Sequence, residues 1–92
     1  MFIQTHDSMF YIIIVGGNIV FYYQRIRDLR EDADMTQSVL AEALGITKQQ
    51  YSLYERGDRE IPFHHAITLA KFYNVSLDYI AGLTNNKKGR YL

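Results

Sequence analysis

Residues 36–57 read TQSVLAEALGITKQQYSLYERG, two short runs that each begin on threonine and end on glycine. A threonine hydroxyl at a helix start accepts a hydrogen bond from a first-turn backbone N–H, and glycine readily takes the left-handed conformation that closes a helix. Thr36 and Thr47 are therefore expected N-caps, and Gly45 and Gly57 expected stops. Gln50, three residues after Thr47, completes a capping box, while Met35 with Leu40 and Ile46 with Tyr51 make hydrophobic staples. Leu40, Ala41 and Leu44 form the inward face of the first run. The link through Gly45 is too short to let the two helices separate, the condition for two helices locked at a steep angle.

The same punctuation recurs along the chain. Ser76 caps a last short helix that runs through Ala81, with Val75 stapled to Ile80. Pro62 suits a first helical position, and Phe63, Ala66, Ile67, Ala70 and Tyr73 supply the core stripe of the helix that follows it. Upstream, Ile19, Tyr22, Ile26, Leu29 and Ala33 step by three and four, which predicts a helix over 19–32 with Asn18 as its cap. Residues 18–83 thus read as five short helices, and 84–92 as a mobile basic tail carrying Lys87, Lys88 and Arg90.

Residues 1–17 behave differently. The stretch 10–15 is aromatic and β-branched, and a Gly-Gly-Asn turn signal follows it, so a strand is expected. Two arrangements fit: a hairpin with 19–23 as second strand, or one strand followed directly by the capped helix, which the helical stripe favours. A lone apolar strand needs a partner. Pairing with its copy in a second chain, as a homodimer contact, would supply one. The uncharged run 8–24 is marginal in length for a membrane span, is broken by Gly16, Gly17 and Asn18, and lacks the basic start and small-residue cleavage site of a signal peptide. No membrane association is expected.

Ninety-two residues allow one small domain with one core. The absence of cysteine excludes disulfides and sulfur-based zinc sites and fits a cytoplasmic location. Ten basic and ten acidic side chains cancel, so the distribution of charge matters more than its sum. There is no nucleophile beside a base, no carboxylate pair and no phosphate loop, which argues against an enzyme and against a cofactor. His64 and His65 are adjacent and diverge on a helix, so they are not expected to clasp a metal; one should pack on the domain and the other face solvent.

The blocks RIRDLRED, TQSVLAEALGI, TKQQYSLYERGDREIP and LAKFYNVSLDYIAGL, in this order over 22–83, resemble the Cro and phage-repressor type of helix-turn-helix domain, the Xre family. The resemblance implies an all-α, five-helix, repressor-like DNA-binding domain, here with an N-terminal strand-like extension, whose third helix enters the major groove. It implies that Gln37 touches a DNA phosphate, a role that a helix N-terminus supports through its free N–H groups. Lys48, Gln49 and Ser52 fall where this family reads bases, and glutamine can bond adenine bidentately while lysine can donate to guanine. Gln50 is shared with the capping box. Leu53 on the same face could meet a thymine methyl or shield a partner surface. Arg56 and Arg59 suit phosphate contacts. Arg30 and Glu55 are implied as a structural ion pair between the first and third helices. Tyr51 stands where the family usually has an aliphatic residue, and with Tyr54, Tyr73 and Tyr79 it is expected as a core or half-buried aromatic with a wet hydroxyl.

Two functions follow as expectations. One is a sequence-specific transcriptional regulator, a repressor, binding a double-stranded DNA operator as a homodimer. The alternative is an antitoxin or adaptor that mainly binds a protein partner through the apolar N-terminus and uses DNA binding for autoregulation.

Overall fold

The computed structural model describes residues 2–4, 11–15 and 18–89, and side chains over 23–89. Three strands, β1 (Phe2–Gln4), β2 (Tyr11–Val15) and β3 (Asn18–Tyr22), precede five helices: α1 (Gln24–Asp32), α2 (Gln37–Leu44), α3 (Lys48–Arg56), α4 (Phe63–Tyr73) and α5 (Leu77–Ile80). The five-helix domain with a strand-like N-terminal extension is thus present. No helix among the described residues is long and apolar enough to cross a membrane.

The start of helix 1 differs from the expectation. Asn18 does not cap a helix: it begins β3, which pairs antiparallel with β2 in the register Val15↔Asn18, Ile13↔Val20 and Tyr11↔Tyr22. The hairpin reading is the one realised, and the boundary expected between 17 and 18 falls between two strands that pair with each other. Ile19 and Tyr22 satisfy a helical stripe, but Asn18–Tyr22 also has the β-branched and aromatic composition of a strand, and the neighbouring strand decides. β1 pairs with the other edge of β2. Both edges of β2 are therefore filled within the chain. Among the described residues, β1 and β3 are the edge strands.

The helix boundaries follow local chemistry closely. The Thr36 side chain accepts from the Val39 N–H, and the Ser76 side chain from the Tyr79 N–H. At α3 both halves of the capping box are made: Gln50 N–H donates to Thr47 Oγ1 at 3.1 Å, and Thr47 N–H to Gln50 Oε1 at 2.9 Å. Gly45 closes α2 at φ 71° and Gly57 closes α3 at φ 79°, a conformation that costs glycine little. Pro62 stands one residue before α4, and α5 ends at Ile80.

Ile26 and Leu29 of α1, Leu40, Ala41 and Leu44 of α2, Tyr51 of α3, Leu69 and Ala70 of α4, Ile80 of α5 and Tyr23 make the core. Met35, Ile46 and Val75, the leading residues of the three staples, pack against it. Of the stripe expected on α4, Ala70 is buried and Ala66, Ile67 and Tyr73 are half-buried, but Phe63, at its first position, is 70% exposed, and Leu69, not expected in it, is fully buried. Ala33, expected on the inward face of helix 1, is exposed beyond the end of α1.

Two residues just after the sheet bind distant parts of the chain. The Tyr23 hydroxyl accepts from Ile61 N–H, fixing the loop between α3 and α4. The buried Arg25 guanidinium donates to the carbonyls of Tyr79 and Thr84 and to Asn85 Oδ1, and lies 4.0 Å above the Tyr79 ring. Ser76 N–H donates to the Lys87 carbonyl at 2.8 Å. Residues 84–89 of the segment expected as a mobile tail are therefore hydrogen-bonded back onto α1 and α5. Arg90 lies outside the described residues.

Candidate nucleic-acid interface

Gln37 at the start of α2 and Lys48, Gln49, Ser52, Leu53 and Arg56 of α3 line one depression of about 400 Å³. The helical repeat explains the convergence. Lys48, Ser52 and Arg56 are each four apart and form one ridge, while Gln49 and Leu53 form the ridge beside it. The tight turn through Gly45 brings the N-terminus of α2 alongside, so that Gln37 completes the rim. Six of the eight residues expected to contact DNA are thus brought together.

The other two stand apart from it. Gln50 is exposed, but its side-chain oxygen accepts from Thr47 N–H, so half of its amide serves the helix cap. Arg59 is exposed in the turn after α3. Arg56 lines the depression and also pairs with Asp58 at 3.1 Å, both side chains remaining about half exposed.

Behind this surface lies a carboxylate with an unusual number of donors. The Glu55 side chain is fully buried. Arg30 Nε donates to its Oε2 at 2.7 Å and Arg30 Nη2 to its Oε1 at 3.0 Å, the bidentate form of the expected pair. Gln37 Nε2 donates to Oε1 at 3.1 Å, and the Tyr51 hydroxyl to Oε2 at 2.6 Å. Arg27 Nε adds a looser ion pair at 3.6 Å. Burial alone would push the Glu55 carboxyl up, but the bonds from Arg30, Tyr51 and Gln37 together outweigh it and hold the group below the usual carboxylate range.

This cluster corrects one expectation and extends another. The Tyr51 hydroxyl is not wet: the residue has no exposed surface, and burial together with the charge on Glu55 pushes its phenol well above the ordinary tyrosine range. The four-residue spacing of Tyr51 and Glu55 was visible in the sequence, but only the buried position of Glu55 makes it a bond. Gln37, expected at a phosphate, also bridges to Glu55, which leaves its second amide hydrogen for an outside acceptor. Tyr73 lies close enough to feel the same carboxylate and is pushed up to about 12, by burial first and then by Glu55; its buried hydroxyl has no hydrogen-bond partner among the described residues.

His65 is half-buried near Tyr54 and held below the ordinary histidine range by burial and by the neighbouring His64, which is exposed. The two rings do not diverge fully; their centroids are 4.1 Å apart.

Residues 26–80 match the helix-turn-helix family model, HTH_3. The chain belongs to the helix-turn-helix family, in its Cro and phage-repressor (Xre) type. A helix-turn-helix relative, the uncharacterized HTH-type transcriptional regulator YobD of Bacillus subtilis (strain 168), is 43% identical over 65 residues, covering 71% of this chain and 58% of YobD. The cryptic phage CTXphi transcriptional repressor RstR of Vibrio cholerae is 36% identical over 56 residues, covering 61% of this chain and 50% of RstR. The HTH-type transcriptional regulator ImmR of Bacillus subtilis (strain 168) is 37% identical over 59 residues, 64% of this chain and 46% of ImmR. These names are those of regulators and repressors, not of enzymes. The chain spans about half the length of the curated relatives it matches. No solved structure matches it significantly.

Proposed function

We propose that the protein is a sequence-specific DNA-binding transcriptional regulator, a repressor, that binds a two-fold operator as a homodimer with α3 in the major groove. The observation that carries the reading is the convergence of Gln37, Lys48, Gln49, Ser52, Leu53 and Arg56 on one depression of the α2–α3 unit. Gln37 and Arg56 sit at helix ends, where amide and guanidinium groups position a phosphate backbone; Lys48, Gln49, Ser52 and Leu53 lie between them, where a groove-bound helix meets base edges. Arg59, beyond the end of α3, adds positive charge on the path of the backbone. A homodimer would place its two α3 helices about one turn of DNA apart, roughly 34 Å, on a palindromic site. Repression follows from occupancy.

The test is selection of bound duplexes from a random pool, followed by affinity measurement at several salt concentrations. The reading expects an enriched palindrome and a steep fall in affinity with salt. A steep fall with no enriched sequence would leave only nonspecific binding, and no binding at all would remove the reading.

The antitoxin or adaptor alternative has one observation in its favour. An apolar groove of about 560 Å³ lies between α1, α4 and α5, and Phe63 on its rim is largely exposed. Purification with a bound protein partner, together with absent operator binding, would favour it.

A further inference from the structure

Leu53 is an apolar side chain on a face where a polar one would cost nothing. It is only partly buried, and it belongs neither to the hydrophobic core nor to the half-buried apolar residues packed against that core. Its surroundings in the depression are Gln37, Lys48, Gln49, Ser52 and Arg56, all polar. Among the described side chains, folding therefore gives no account of a leucine at 53, and the account is sought in what fills the depression.

The polar neighbours restrict what that can be. Lys48 and Arg56 flank the site with positive charge, which suits the phosphates of DNA and does not suit an apolar protein ridge. Within a major groove the apolar feature on offer is the 5-methyl group of thymine. The neighbouring glutamines narrow the register. Gln50 is tied to the Thr47 cap, whereas no hydrogen bond holds the side chain of Gln49 among the described residues, so Gln49 is the glutamine free to take adenine bidentately. Leu53 stands one turn beyond Gln49 on the same ridge. Four residues of helix advance about 6 Å, and base pairs are stacked about 3.4 Å apart.

We infer that Leu53 is the thymine reader of α3: its isobutyl group meets a thymine 5-methyl within about two base pairs of the adenine bonded by Gln49. This rests on the DNA-binding reading and specifies the bases that the site selects.

The experiment uses the full chain and the tightest duplex from the random-pool selection, resynthesised with deoxyuridine in place of each thymidine in turn. Uracil pairs as thymine does and lacks only the methyl group. One such replacement per half-site should weaken binding about fourfold, the worth of one buried methyl group. The adenine bonded by Gln49, located by the position at which Gln49→Ala loses its preference for adenine, should lie within two base pairs. Leu53→Ala should bind the thymine and uracil duplexes equally while melting at the wild-type temperature. Wild-type protein that binds every uracil duplex as tightly as the parent overturns the inference and leaves the DNA-binding reading standing. Leu53→Ala that keeps the preference for thymine also overturns it. The absence of any selected sequence overturns both.

Discussion

The Tyr51 hydroxyl donates a 2.6 Å hydrogen bond to Oε2 of Glu55, one turn further along α3 and fully buried. Helix α3 thus carries its own anchor on its inner side, in line with the depression on its outer side. Tyr51→Phe removes that donor and little else. It should lower unfolding stability by about 2 kcal/mol, the range for hydrogen bonds to charged groups, measured by urea denaturation. An unchanged midpoint would mean that the bond adds nothing beyond what Arg30 already supplies.

The Arg30–Glu55 pair makes a different prediction. Arg30→Met strands a buried carboxylate and should cost about 3 kcal/mol. Adding Glu55→Met should recover part of that loss, because the unpaired charge disappears with its partner. Thermal melts of the two single variants and the double variant decide it; a double variant less stable than both singles refutes the buried-charge account.

Acid should find the same group. Because the carboxyl of Glu55 is held below its unfolded value, its contribution is complete above about pH 4.3, and is lost as pH falls through the folded value. Wild-type protein should therefore lose stability more steeply below that pH than Glu55→Gln. Denaturation midpoints between neutral and acid pH provide the comparison, and parallel curves would assign the acid sensitivity to other carboxylates.

Arg25 can be tested by proteolysis. Its guanidinium holds the Thr84 carbonyl and Asn85, and the Lys87 carbonyl is bonded in turn to Ser76 N–H. Arg25→Ala should free 84–89 and raise the rate of trypsin cleavage at Lys87 and Lys88 by about tenfold, as opening becomes easier by the worth of one charged hydrogen bond. Mass spectrometry of timed digests reads the sites.

Asp58 holds the guanidinium of Arg56, the proposed phosphate contact, at 3.1 Å. The pair is exposed on both sides, so breaking it should leave stability almost unchanged. Asp58→Asn removes a negative charge beside the proposed phosphate contact and should raise operator affinity several-fold at low salt, with the gain shrinking as salt rises. Equal affinities at low salt would take Arg56 out of the interface.

What the sequence made legible was chemistry contained within one turn of chain. Thr36, Thr47 and Ser76 announce helix starts because the hydroxyl and the N–H it serves are three residues apart, and Gly45 and Gly57 announce stops for an equally local reason. The depression was readable too, because helical spacing alone sorts Lys48, Gln49, Ser52 and Leu53 to one face. The rest required partners distant in sequence. Ile19 and Tyr22 suit a helix as well as a strand until β2 lies beside them. Phe63 is exposed because it stands at the first position of α4, beyond the reach of the core, while Leu69 joins Ala66 and Tyr73 on the buried face. The contacts of Arg25 are largely main-chain carbonyls 54 and 59 residues away, which carry no sequence signature.

The hydrogen bond from Arg25 to Asn85 spans 60 positions in the chain and 2.6 Å in space. The two ends of the helical unit are therefore side by side, and the unit is close to a closed ring. Joining them with a short linker and opening the ring in the exposed turn at Arg59 would reorder the helices along the chain without displacing any of them. The α2–α3 surface would survive such a circular permutation, because nothing in its geometry depends on which helix is synthesised first.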